Sequence, residues 1–515
     1  MNFMTILIKK SFTDYIRNVS ILSLIYLQKI MNRKFVVNLF FLIGLNLLIK
    51  PFWIFGIDRT VQNVVGENIY GLYFTLFNFT VVFNCILDFG INNFNNRSVS
   101  MSKNFLDENF SRILTLKLLL GIVYFVVVLL AGLFAHYKGF AFYLLILLAF
   151  NQFLSYFILY LRSNISGLFF FKTDSFISVA DRFIMIVLCG ILLWGHVVDQ
   201  PFQIEWFVYC QTFAYLLTIV IALPIVLSHT KLSSPFVDWK YFKKILIQSL
   251  PFALLALITS LHNRMDAVFL ERLLPEDVGS AQSGIYAKAF RLLDAANMIS
   301  YLFSVILLPV FSNMLSKHEN IKDVLKTAFS LIFVYGLLLA ATSFFYSDDL
   351  MTLLYDNHVK ESAQVFRVLM ISILPLSATY VFGSLLTARG ELKKLNYIAL
   401  IALAINASLN LLLIFRLQAV GSAIASLTTQ CFIVVAEIIL VSKIFDIRFS
   451  GRYVFKTMFF TILSVGLLLL STYSPLSCWW NILIALLLST IVACLMGMVN
   501  LQPIFALLKE KITKK

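Results

Sequence analysis

Val65-Gly66-Glu67-Asn68-Ile69-Tyr70-Gly71-Leu72-Tyr73 and Val278-Gly279-Ser280-Ala281-Gln282-Ser283-Gly284-Ile285-Tyr286 follow one pattern, VGx4G[LI]Y, 213 residues apart. Each copy lies at a gap between apolar stretches about 20 residues long, the length a helix needs to cross the hydrocarbon core of a bilayer. Such stretches recur along almost the whole chain, and the offset between the copies corresponds to six of them. An even number of crossings restores orientation, so the copies mark parallel repeats about an axis along the membrane normal. The expected fold is an all-α polytopic membrane protein: two six-helix bundles as parallel repeats, plus two C-terminal helices.

Composition points the same way. The chain is 60% hydrophobic and 13% charged, with mean hydropathy +0.89. Soluble domains carry about 25% charged residues, so no sizeable soluble domain fits. Hydropathy predicts 14 spans, at 35–57, 72–94, 113–134, 140–161, 175–195, 206–228, 246–270, 284–310, 327–347, 365–387, 395–415, 419–441, 455–472 and 479–499. Lys and Arg are held back on the cytoplasmic side during insertion. With the N-terminus inside, the cytoplasmic segments hold 29 of them, counting Lys456 at the edge of span 13. The opposite side holds five: Arg59, Lys138, Arg272, Lys360 and Arg416. This asymmetry predicts both termini in the cytoplasm.

The expected organisation is a cytoplasmic N-terminal segment at 1–34, a first bundle at 35–228 and a second at 246–441. Helices 13 and 14 follow at 455–499, and a basic cytoplasmic tail at 500–515. The apolar run Ile21–Leu27 is too short to span, and no small-residue cleavage site follows it. Residues 1–30 are either an extension upstream of a start at Met31 or a short helix lying on the cytoplasmic surface.

Several function classes drop out. The net charge of +15 is spread over short loops and forms no stripe for nucleic acid. The six cysteines lie far apart, mostly in apolar runs, and with the scattered histidines they give no metal-ligand spacing. No metal or other cofactor is expected. No loop exceeds about 20 residues, and neither a P-loop nor GxSxG occurs, so the chain does not read as an enzyme.

Charges inside a bilayer are costly and normally face a cavity or a partner. Candidates to contact a substrate are Lys50, Asn84, Asp88, Asn92, Arg264, Lys288 and Arg291; candidates to bind a coupling ion are Asp266 and Asp294. Asn84, Asp88 and Asn92 fall at i,i+4 steps on one face of span 2, which is expected to line a cavity opening toward the cytoplasmic half. Lys288, Arg291 and Asp294 follow at three-residue steps in span 8, opposite Arg264 and Asp266. Two cations on one face suit a phosphate group, Arg as a fork and Lys as a point charge. The competing readings are structural: Lys50 snorkelling to the outer interface, interhelical hydrogen bonds along the Asn84 stripe, and ion pairs pinning the second bundle. Asn406 and Asn410 share a face in span 11, for packing or lining. Glu437 is expected to snorkel from span 12.

The chain resembles the polysaccharide flippases of the multidrug/oligosaccharidyl-lipid/polysaccharide exporter superfamily. The resemblance rests on Gly66-Glu67-Asn68-Ile69-Tyr70-Gly71-Leu72-Tyr73 leading to Asp88-Phe89-Gly90, and on Asp266 through Tyr286-Ala287-Lys288-Ala289. It continues with Pro309, with Asn406-Ala407-Ser408-Leu409-Asn410, and with Val420-Gly421-Ser422-Ala423. The glycine that usually precedes the last motif is absent, and Leu417-Gln418 stand there. The resemblance implies a flippase of the bacterial cytoplasmic membrane that moves polyprenyl-diphosphate-linked oligosaccharide for surface polysaccharide synthesis. Membrane lipids, a polysaccharide polymerase and other assembly proteins are the implied partners. Two alternatives share the fold: a cation-coupled multidrug exporter and a peptidoglycan lipid-precursor flippase. The intramembrane cations at least match the anions in number, which favours an anionic cargo.

Overall fold

The computed structural model describes residues 44–101, 103–195, 197, 199–230, 237–447 and 450–499. The expected N-terminal segment 1–34 and tail 500–515 lie outside the described residues. Among those described, all regular structure is helical. The first half holds α1 (residues 44–58, ending in the π-turn Trp53–Asp58), α2 (Arg59–Val82), α3 (Cys85–Asp88), α4 (Ile91–Met101), α5 (Lys103–Phe134), α6 (Gly139–Gly167), α7 (Phe171–Trp194) and α8 (Ile204–Leu227). The second holds α9 (Trp239–Leu273), α10 (Glu276–Ser316), α11 (Lys322–Phe345), α12 (Ser347–Leu354), α13 (Val359–Ile371), α14 (Ile373–Arg389) and α15 (Leu392–Phe445). The chain ends in α16 (Gly451–Ser471) and α17 (Cys478–Leu495).

Eleven helices among the described residues are long and apolar enough to cross a membrane. One of them, α15, has 54 residues. It doubles back: Ser422 Oγ donates to Asn410 Oδ1 at 2.7 Å, although twelve residues of straight helix would separate them by about 18 Å. The reversal is at Gln418, with φ 50, where the motif's usual glycine is missing. The expected spans 11 and 12 are thus the two arms of α15.

The same device closes the first repeat. Tyr70 OH donates to Asp58 Oδ1 at 2.9 Å, again across twelve residues. Here the reversal is at Gly66, φ 78, a backbone geometry that glycine adopts at no steric cost. The expected outer loop 58–71 is therefore corrected to two helical arms joined at Gly66. The expected loop 271–283 likewise shrinks to a short turn between Leu273 and Glu276. Asp58, Glu67 and Glu271 read as loop residues because they are charged, yet they are largely buried and partnered inside the protein. Span 2, expected as continuous over 72–94, breaks after Val82 and again at Phe89, φ 46.

The repeat glycines meet at the axis between the halves. A methyl group on Gly71 would overlap the Ser280 carbonyl oxygen, and one on Gly284 would overlap the Glu67 carbonyl oxygen. Both residue pairs are equivalent under the 213-residue offset, so each contact is the image of the other. Only glycine at both positions lets the backbones approach this closely. Outside the second bundle, α16 and α17 pack on α11 through Phe460, Leu468 and Ala493. Exposed Leu48, Ile122, Val220, Leu412 and Ile462 form the apolar exterior expected against lipid.

Candidate functional site

The cations of α9 and α10 form a ladder across the interface between the halves. Lys288 Nζ lies 2.7 Å from Glu67 Oε1 and donates to the Asn357 carbonyl at 2.8 Å; its side chain is 2% exposed. One turn along, Arg291 Nε lies 3.3 Å from Asp58 Oδ2 and donates to the Tyr70 hydroxyl at 3.2 Å. Its guanidinium sits over Phe74 and Phe77, which favours a delocalised cation. One turn further, Asp294 Oδ2 is 3.4 Å from Arg264 Nη1, which also reaches Asn78 and lies over Phe290. The fold therefore brings Arg264, Lys288, Arg291 and Asp294 into one column. Burial raises the pKa of the Glu67 carboxyl at the outer turn, but the Lys288 hydrogen bond, a backbone hydrogen bond and the charges of Lys288 and His358 together outweigh it and hold the group below its ordinary value.

Asp266 heads a separate cluster within the second half. Its side chain is buried. Oδ2 accepts from Tyr286 OH at 2.8 Å, while Oδ1 accepts from Asn406 at 3.2 Å and Asn410 at 2.9 Å. Ser422 in turn holds Asn410. A carboxyl group ringed by neutral donors and amide oxygens can hold a proton or a small cation.

A cavity of about 680 Å³ opens between the halves, on the side that the charge pattern assigns to the cytoplasm. Asn84 and Asp88 line it. Asn84 donates to Gln152 at 2.9 Å; Asp88 pairs with Lys117 at 2.7 Å and accepts from the Asn92 backbone N–H at 3.1 Å. The Phe89 break ends the expected stripe. Asn92 does not line the cavity, and Asn95 bonds Ser163 and Asn164 instead. Glu437 does not snorkel: it is 3% exposed in the cavity wall, because α15 packs that face against α14. Lys50 is half-buried in the first half, within electrostatic reach of Asp181 and Arg182. Among the described residues it makes no ion pair or hydrogen bond with the α9–α10 column.

Sequence reasoning passed over Asp58, Glu67, Lys117 and Arg182. Asp58-Arg59 and Glu271-Arg272 occupy equivalent places before the two repeat motifs, a signal that would have drawn Asp58 into the set. Lys117 interrupts the apolar run Leu114–Leu120. Arg182 lies over the Trp53 ring and gave no signal beyond its place in a span.

The fold is similar to that of the lipid II flippase MurJ in an inward closed conformation, with TM-score 0.63 and 13% identity over 88% of this chain and 97% of that one. It is also similar to an inward-facing multidrug resistance transporter of the MATE family of the MOP superfamily, with TM-score 0.56 and 14% identity over 78% and 95% of the two chains. A MOP superfamily transporter from Pyrococcus furiosus, described as having a binding pocket of reversed polarity, gives TM-score 0.53 and 15% identity over 80% and 96%. No curated protein matches by sequence. A family profile described as "Polysaccharide biosynthesis protein" matches residues 20–315, more than half of the chain. By that match, this multi-pass helical protein belongs to the polysaccharide biosynthesis protein family.

Proposed function

We propose that the protein carries polyprenyl-diphosphate-linked oligosaccharide from the cytoplasmic to the outer leaflet of the bacterial cytoplasmic membrane by alternating access, with both termini in the cytoplasm. The family and the MOP fold support a flippase or transporter. The reading of an anionic lipid-linked cargo rests on one observation: Arg264, Arg291 and Lys288 each pair with a carboxylate at the interface of the halves, and two of those carboxylates belong to the opposite half. A diphosphate entering from the inner cavity competes for the same cations. As it displaces Asp58 and Glu67, it removes the bonds that hold the outer ends together, so loading the site favours outward opening. Asn84 and Asp88 would meet the sugar from the cavity wall, Lys50 would add positive charge in the first half, and the prenyl chain would stay in lipid. Asp266 would bind the coupling proton or sodium ion, and Asp294 would regulate Arg264. A polymerase and other assembly proteins would receive the product.

The experiment replaces Arg264, Lys288 and Arg291 singly by Ala in a complementation strain. It measures membrane abundance beside lipid-linked oligosaccharide in each leaflet. Losing one charge-assisted contact costs about 1.5–3 kcal/mol, roughly ten- to a hundredfold in binding. Cargo should accumulate on the cytoplasmic leaflet out of proportion to any loss of abundance, with Arg291→Lys milder. Normal surface polysaccharide at normal abundance in all three variants would overturn the reading. So would accumulation of a peptidoglycan precursor in place of oligosaccharide. Impermeant labelling of a cysteine at Asp356 from outside checks the orientation.

A further inference from the structure

Glu437 sits where an ionised carboxylate has little to stabilise it. It is 3% exposed, Oε2 has no hydrogen-bond partner within normal geometry, and only the neighbouring Thr379 hydroxyl among the described residues offers the carboxyl partial stabilisation. The carboxyl packs against one face of α14 between Thr379 and Gly383: a methyl on Gly383 would stand 3.1 Å from Oε1. Among the described residues no cation forms an ion pair with it. Yet it borders the inner cavity, which holds room for water. The other titratable groups on that cavity are engaged or neutral. Asp88 is paired with Lys117, His262 Nδ1 is bonded to the Ile258 carbonyl, and the Tyr380 hydroxyl accepts from Asn297. Tyr156 and Cys85 complete the set. A buried charge without a partner is costly, and the group neutralises instead.

We propose that Glu437 is a proton-binding site in the wall of the inner cavity, separate from Asp266, and that its protonation permits the cavity to close. The exchange is simple: the carboxyl O–H bond breaks and forms, and the proton passes to and from cavity water. The ionised form needs that water and so favours the open cavity. The protonated form tolerates a dry wall against α14. Proton binding from the cavity side thereby favours the closed inner end, whichever cargo the protein carries; the site and its test require no cargo.

The test uses the full chain in lipid nanodiscs. Infrared spectroscopy at neutral pH should show the carbonyl stretch of a protonated carboxylic acid that Glu437→Gln removes and Asp266→Asn leaves. Distances between spin labels at Phe89→Cys and Thr387→Cys, in a chain whose native cysteines are replaced, should lengthen as pH rises. In Glu437→Gln they should stay short, with at least a tenfold weaker response of the open-to-closed ratio to pH. Glu437→Asp keeps a carboxyl one methylene shorter and should keep the response with a moved midpoint; it serves if Glu437→Gln fails to fold. A band unchanged in Glu437→Gln, distances in that variant that follow pH as in the unmodified chain, an unmoved midpoint in Glu437→Asp, or a response to sodium at fixed pH in place of protons would each overturn the proposal.

Discussion

At the outer end of the interface, Gly71 and Gly284 let the backbones of the two halves touch, and Lys288–Glu67 and Arg291–Asp58 cross from one half to the other. At the inner end, Asn84, Asp88 and Glu437 face a cavity of about 680 Å³, and the bonds of Asn84 to Gln152 and of Asp88 to Lys117 stay within the first half. The outer contact is largely buried and made of opposite charges whose separation would strand each partner. Among the described residues the inner wall carries no such charge pair between the halves, so it loses little when they part. On the orientation that the charge pattern predicts, the described conformation is closed outside and open inside.

Breaking the outer end should have the largest effect at Arg291. Its partner Asp58 is 2% exposed on its side chain, and removing one member of a buried pair costs about 3–5 kcal/mol. Arg291→Ala should lower thermal stability in detergent markedly. The double variant Asp58→Asn/Arg291→Gln should recover most of that loss without recovering polysaccharide export. A double variant as unstable as the single one would show that the pair is not the cause.

Glu67→Gln comes next, at about 1.5–3 kcal/mol for a charge-assisted bond. It should raise labelling at outer positions such as a cysteine replacing Tyr355. Because Glu67 titrates below its ordinary range, its bond to Lys288 contributes fully above the unfolded pKa of Glu and is lost as pH falls through the depressed folded value. Outer accessibility should therefore rise below about pH 4 in the unmodified chain. It should be high and independent of pH there in Glu67→Gln.

Gly284→Ala tests packing without charge. Overfilling this contact costs about 1–3 kcal/mol and should move the population toward outer-open, seen as longer outer spin-label distances. Gly71→Ala should match it, since the two sites are images of one another. Unequal effects would separate the repeat's symmetry from its energetics. The smallest effect belongs to the inner wall: Asn84→Ala removes a neutral bond to Gln152 worth about 0.5–1.5 kcal/mol. It should change thermal stability slightly and outer accessibility not at all.

The helical membrane fold was legible because burial in lipid demands long apolar runs, and the repeat was legible because Gly71 and Gly284 serve the same close approach. Within the site, Arg264, Lys288, Arg291 and Asp294 could be chosen as charges too deep to be solvated. Their partners could not. Asp58 and Glu67 look like loop residues until the reversal at Gly66 carries them back against α10. The stripe Asn84–Asp88–Asn92 looked continuous because helical spacing assumes an unbroken helix, and Phe89 breaks it.

The sequence by itself determined that the chain crosses the membrane many times and that its halves repeat in parallel. It also set which charges must be accommodated inside. Hydropathy and spacing are local properties, and the bilayer acts on each span directly. Only the tertiary structure decided which carboxylate answers which cation and where Asp266 finds its neutral donors. The same packing left Glu437 without a cation among the described residues, beside a cavity. Those pairings join residues as distant in sequence as Asp58 and Arg291. They follow from how the two halves meet, which no single span encodes.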